Sequence, residues 1–308
     1  MAAISASMVK ELRDKTGAGM MDCKAALGET NGDMEAAVDW LRTKGLAKAA
    51  KKAGRVAADG LVAALTEGTA GALVEINSET DFVARNETFQ GLVKTIGTVA
   101  LTQGGDFDAT RGAAFPGADE TVEEHVKSMV GTIGENLSFR RSVGLSVNKG
   151  IVASYVHGQV VPDQGKIGVL VALESEADGA ALADLGRKLA MHVAAAAPLA
   201  ARVDELDPAA IEREREVLAQ QARDSGKPEN IIDKMVQGRL RKFYQEVVLL
   251  SQVFVVDPDN TVEQVIENAA KELGSPIKLA GFARFAIGEG IEKEEADFAA
   301  EVSAAVKS

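Results

Sequence analysis

The sequence predicts an α+β protein built on an internal duplication. It reads as a three-helix module at the N-terminus, two similar subdomains with antiparallel sheets, and a helical hairpin inserted into the second. Three observations predict this. Apolar residues recur at helical spacing through residues 1–45. From residue 60 onward the chain matches itself. The offset of that match then changes, which locates an insertion.

In the N-terminal part, Ser7 is expected to cap a first helix with Met8, Val9 and Leu12 on its apolar side. Thr16-Gly17-Ala18-Gly19 breaks it. Met20 to Leu27 form a second helix, stopped near Gly28. Asn31-Gly32-Asp33 opens a third, whose apolar side is Met34, Ala37, Val38 and Leu41, and Gly45 is expected to end it. Residues 46–59 are Ala-rich and basic and read as a helical linker with a solvated face. The first unit is set at 1–55.

The repeat begins with strands. Gly60-Leu-Val-Ala-Ala64 resembles Gly150-Ile-Val-Ala-Ser154. Gly71 through Asp81 matches Gly168 through Asp178, an offset of 97 that persists through Leu92 with Leu189 and Ile96 with Val193. Thr121-Val-Glu-Glu124 matches Thr261-Val-Glu-Gln264 at an offset of 140, and Gly134 and Gly274 keep that register. Each half reads as strand, strand, helix, helix, strand, with short β-branched runs at 61–65, 72–76, 151–156 and 167–173. The halves are set at 56–149 and at 150–206 with 246–288. Residues 101–120, with Gly104-Gly105 and Pro116-Gly117, read as a variable loop.

The growth of the offset from 97 to 140 places 43 extra residues between 193 and 261. Asp207-Pro208 is a helix start, a cap followed by proline at the first helical position. That helix runs to about Asp224, and Ser225 to Pro228 turn into a second with Ile232, Met235, Val236, Leu240 and Phe243 on one side. The hairpin, 207–245, has in its first helix only Ile211, Val217 and Leu218 as large apolar residues. It is therefore expected either to project, with pairing to another chain one way to cover it, or to fold back on its own body.

Composition narrows the function. Hydrophobic residues are 46%, charged residues 26% and aromatics 4%, so the cores rest on Ala, Val, Leu and Ile. The net charge of −12 argues against a nucleic-acid binder and against an anionic membrane surface. Cys23 is the single cysteine, which suits a reducing, cytoplasmic compartment. Charged residues from Lys10 to Lys15 interrupt any signal-peptide core. There is no phosphate-binding Gly-x-x-x-x-Gly-Lys-Ser/Thr loop and no nucleophile elbow, and His125, His157 and His192 are scattered. No cofactor, metal site or covalent catalysis is predicted.

The most informative stretch runs from Ile76 to Asn86. It follows a buried strand and opens a helix that Thr80 or Asp81 is expected to cap. Phe82 lies seven residues before Phe89, on the stripe continuing through Leu92 and Ile96, and that spacing reads as core. The repeat reads otherwise. It sets Gly179 against Phe82, and a shared core position more often stays apolar.

Several long motifs now occur in one order. They are Val9–Lys24 (VKELRDKTGAGMMDCK), Asn77–Arg85 (NSETDFVAR), Ile133–Asn136 with Arg140-Arg141, Tyr155–Gly158, Ala190–Ala194 and Gly288–Ile291. Together they resemble the bacterial translation elongation factor Ts family along essentially the whole chain. The resemblance implies a UBA-like N-terminal module and a C-terminal helical module at 289–308, including Ile291, Phe298 and Val302. It implies a guanine-nucleotide exchange factor that binds elongation factor Tu with GDP. The segment Thr80, Asp81, Phe82 and Val83 would enter the partner's GTPase domain and disturb its magnesium ion, with Phe82 the wedge and Asp81 positioning the turn. Lys10, Arg13, Met20, Met21 and Lys24 would contact that domain, and Ile133 and Gly134 would make a second contact near the wedge. His157, Val255 and Val256 would reach the partner's other domains. Some members dimerise through such a hairpin, which makes 207–245 a candidate for a homodimer contact. The rival readings are a non-catalytic interaction scaffold with the UBA-like module, and an enzyme with a cleft between the copies. The first predicts binding without exchange; the second requires convergent acid–base pairs that no spacing here supplies.

Overall fold

The computed structural model describes residues 4–226 and 228–292. The N-terminal helices are α1 (Ala6–Thr16), α2 (Met20–Glu29) and α3 (Met34–Lys52). The first copy follows: β1 (Asp59–Glu67), β2 (Ala70–Ser78), α4 (Glu87–Thr102), α5 (Phe107–Gly112), α6 (Val122–Ile133) and β3 (Leu137–Ser146). The second has β4 (Gly150–His157), β5 (Gln164–Gly165), β6 (Ile167–Ser175) and α7 (Gly179–Ala196). After α7 come α8 (Pro208–Asp224), α9 (Glu229–Val247), β7 (Val253–Phe254) and β8 (Asp257–Thr261), then α10 (Val262–Leu273) and β9 (Ile277–Ala286). Of the expected C-terminal module, Phe298 and Val302 lie outside the described residues.

The fold is α+β with antiparallel sheets, in the order β3-β2-β1-β5 and β4-β6-β9. The duplication extends to fine detail. β2 carries a bulge between Glu75 and Ile76, and β6 carries one between Ala172 and Leu173, the same place in the repeat. Thr121 with Glu124 and Thr261 with Gln264 close identical capping boxes on α6 and α10. Gly134 and Gly274 end those helices in the left-handed conformation. The sheets pack face to face through Val62, Leu73, Val152 and Leu170. Gly71 and Gly168 make that approach symmetric: a Cβ on Gly71 would stand 2.7 Å from Val152, and one on Gly168 2.6 Å from Val62. Each copy's glycine thus admits the other copy's valine. Helices cover the outer faces, with Phe89, Leu92 and Ile96 in one core and Leu182, Leu189 and Val193 in the other.

Local reading missed several ends. The first helix is capped by Ser5, whose side chain accepts the Met8 N–H, and Ser7 lies inside it. α2 runs through Gly28 to Glu29. Gly45 does not stop α3, because it is a crossing point. A Cβ there would lie 3.1 Å from the Ser128 carbonyl of α6, and a Cβ on Gly131 would lie 2.7 Å from the Gly45 Cα. Two helical glycines, each about 1 kcal/mol worse than alanine in propensity, let the two helices touch backbone to backbone. Gly131→Val is expected to cost about 1–3 kcal/mol by overpacking and to lower the thermal melting midpoint. The stretch read as a variable loop contains α5, and Phe107 and Phe115 pack on the first core.

α8 starts at Pro208 behind the Asp207 cap. Leu218, Ala222, Ile232, Val236 and Leu240 form a small core of the hairpin's own, and Val217 and Ile231 face solvent. Its base joins the body through Ile211, Phe243 and Val247 packed on Ala200, Leu206 and Val248.

One buried ionic cluster ties the copies together. Glu75 on β2 is fully buried, and its carboxylate accepts from Arg140 (2.9 Å), Arg141, Asn77 and the Gly288 N–H (2.9 Å). Arg140 also donates to the Glu289 carbonyl, and Arg141 to that of Ala286. Burial alone pushes the Glu75 carboxyl up, but the Gly288 N–H and then the two arginines and Asn77 outweigh it, so the net direction is down.

Candidate functional site

Between β2 and α4 the chain does not enter the helix directly. Ser78 Oγ donates to the Thr80 carbonyl at 3.0 Å, a 3-10 turn follows at Val83–Arg85, and Asn86 caps α4. The expected cap at Thr80 or Asp81 is thus corrected: Asn86 accepts from the Thr88 and Phe89 N–H groups at 2.9 and 3.1 Å. Val83 and Ala84 are buried in the first core, and Phe82, next to them, is 76% exposed. The core reading of Phe82 therefore fails, because its stripe begins only once α4 begins. Asp81 is exposed, and its carboxylate accepts no hydrogen bond among the described residues. In the second copy Asp178 caps α7 at once, accepting from Ala180 and Ala181, and Gly179 is the first helical residue, with open space around it. The copies part company at the segment that presents an aromatic ring to solvent.

Residues just after α6 hold this turn. Thr80 donates its N–H and hydroxyl to the two oxygens of Glu135, at 2.9 and 2.6 Å. The Asn136 N–H donates to Glu79 at 2.6 Å, and Arg55 pairs with the same carboxylate at 3.3 Å. Lys52 donates to the carbonyl of Gly134, and Ile133 packs against the first core. The structure thus joins Ile133 and Gly134 to the Thr80–Val83 turn through Glu135. Glu79, Glu135 and Asn136 carry no local signal of this role, since the contacts span 55 to 57 positions.

Lys10 and Arg13 on α1 and Met20, Met21 and Lys24 on α2 are all exposed. Met20 is 61% and Met21 76% exposed, so neither packs in the module's core of Leu12, Cys23 and Leu27. The turn joining α1 to α2 abuts α6, where a Cβ on Gly17 would meet Thr132 at 3.6 Å. His157, at the end of β4, and Val255 and Val256, between β7 and β8, are exposed on the second copy. His157 lies beside the Tyr155 hydroxyl at 3.3 Å.

The Val255 turn hangs on a buried histidine. His192 Nδ1 accepts the Val255 N–H at 3.2 Å, so the ring carries its proton on Nε2 and donates it to Gln252 at 2.9 Å. Burial lowers its pKa below the usual 6.5, against the Gln252 hydrogen bond. Unfolding therefore takes up a proton below about pH 6.5, and stability falls as pH drops through that value, by up to about 1.4 kcal/mol per unit. A pH series of melting curves is expected to show this slope, and His192→Gln to flatten it.

Among the described residues no group of three His, Cys, Asp or Glu is placed to hold a metal ion. No helix there is long and apolar enough to cross a membrane.

Comparison with known proteins closes on the same segments. A family model described as elongation factor TS matches residues 79–289. The elongation factor Ts of Parvibaculum lavamentivorans is 64% identical over 307 residues, covering all of both chains. That of Rhodospirillum centenum is 61% identical over 98% of this chain and 99% of its own, and that of Rhodospirillum rubrum 60% over all of both. With matches of this extent, two of them running end to end, this chain belongs to the elongation factor Ts family of translation elongation factors.

Proposed function

We propose that this protein is the guanine-nucleotide exchange factor for elongation factor Tu. It binds the GDP form, disturbs the magnesium and phosphate site, and releases GDP so that GTP can enter. The observation that carries this is Phe82: a large aromatic ring, exposed on a turn held from outside, in one copy only. Thr80 to Val83 form the exchange segment. Lys10, Arg13, Met20, Met21, Lys24, Ile133 and Gly134 contact the partner's GTPase domain, and His157, Val255 and Val256 contact its other domains. Exposed methionines suit such a surface because their side chains adapt to it. No covalent step and no cofactor are involved, and the protein acts in the cytoplasm. The hairpin's exposed Val217 and Ile231 offer a face for a second copy.

Burying one phenylalanine supplies about 1.5–3 kcal/mol, too little alone to offset tight nucleotide binding, so the other contacts must hold the partner. The coupling is reciprocal. If this protein weakens GDP binding, GDP weakens this protein's binding by the same factor, and the nucleotide-free partner is the preferred one. The test is release of a fluorescent GDP from purified elongation factor Tu by catalytic amounts of this protein. Acceleration with turnover is expected. Stable binding without acceleration would leave the scaffold reading in its place.

A further inference from the structure

We infer that Glu135 is a positioning residue for exchange: it holds Phe82 in its projecting pose by accepting both hydrogen bonds from Thr80. This rests on the exchange reading above. The second copy acts as an internal control. There the residue equivalent to Thr80 is Ala177, and its N–H is satisfied locally by Ser175 Oγ at 3.1 Å. The residue equivalent to Glu135 is Ser275, whose hydroxyl lies 3.4 Å from that of Ser175. The residue equivalent to Asn136 is Pro276, which has no N–H to donate to a counterpart of Glu79. So the latch exists only in the copy that carries Phe82.

The same copy lacks the local cap. Asp178 ties its turn to α7, and Asp81 ties nothing. Without Glu135 the Thr80 N–H would lose its acceptor, and residues 79–82 would keep the Ser78 hydroxyl, the Glu79 contacts and the Arg85 N–H on the Phe82 carbonyl. Glu135 also follows Gly134 directly, so the wedge and the Ile133–Gly134 contact are offered as one unit. Charge-assisted bonds to a carboxylate are the stronger kind, and fixed geometry is what a wedge requires.

The experiment measures GDP release with Glu135→Ala and Glu135→Gln, each alone and combined with Phe82→Ala. With Phe82 present, Glu135→Ala is expected to lower the rate at saturating partner roughly 10- to 100-fold, with little change in the half-saturating concentration. Glu135→Gln keeps the volume and one acceptor, and is expected to fall between. Combined with Phe82→Ala, either change is expected to add less than about twofold, because Glu135 acts through Phe82. Equal losses in both backgrounds would make Glu135 an independent contact and overturn the proposal, as would an unchanged rate in a folded Glu135→Ala. No acceleration by the unaltered protein would instead remove the exchange reading itself.

Discussion

Phe82→Ala is expected to melt like the unaltered protein and to lose most of its exchange activity. The ring is 76% exposed, so its removal leaves no cavity. Exposed substitutions of this kind stay within about 0.5 kcal/mol, a shift of about 1–2 °C in a chain of this size. The loss in exchange follows from what the ring buries on the partner. At about 1.5–3 kcal/mol, and tenfold per 1.4 kcal/mol, kcat/KM falls roughly 10- to 100-fold. Uniform weakening of partner binding would raise KM alone; a wedge acting in the exchange step lowers kcat as well. Melting curves and GDP-release kinetics on one preparation decide the matter. A drop of many degrees would return Phe82 to the core, and unchanged kinetics would remove it from the site.

What the sequence made legible was set by local rules. Thr121 with Glu124 and Thr261 with Gln264 are capping boxes whose partners lie three residues apart, so the second half of the repeat could be aligned before any contact was known. Asp207-Pro208 marked its helix start for the same reason. The failures share the opposite cause. Gly45 reads locally as a stop, but its reason for being glycine is a helix 86 residues further on, at Gly131. Glu135 stands inside the Ile133–Asn136 motif with no role of its own, because an acidic residue after a helix end has no partner until the fold supplies Thr80. For Phe82, periodicity pointed to core and the contrast with Gly179 pointed outward. The repeat was the better guide because it compares two copies of one fold, where periodicity assumes that the helix has already begun.

Glu75→Ala is expected to be the most destabilising of these changes, by about 3–5 kcal/mol. Deleting the carboxylate takes a buried acceptor from two guanidinium groups, the Gly288 N–H and Asn77, and leaves the part-exposed arginines only the Glu289 and Ala286 groups. At about 2–4 °C per kcal/mol the midpoint drops by roughly 6–20 °C. The pH dependence carries its own signature. The folded carboxyl titrates below the ordinary 4.5, so its stabilisation is present above that value and is lost as pH falls below it. Glu75→Ala should lose this acid-limb slope together with its stability. The large cost belongs to the donors left without the Glu75 carboxylate more than to the ion pairs, whose desolvation offsets much of their attraction. A triple variant with leucine at positions 75, 140 and 141 is therefore expected to recover part of the loss. If it melts no higher than Glu75→Ala, the cluster stabilises in its own right. It would then fasten β2, which leads into the Phe82 turn, to Gly288 and Glu289 at the end of the second copy.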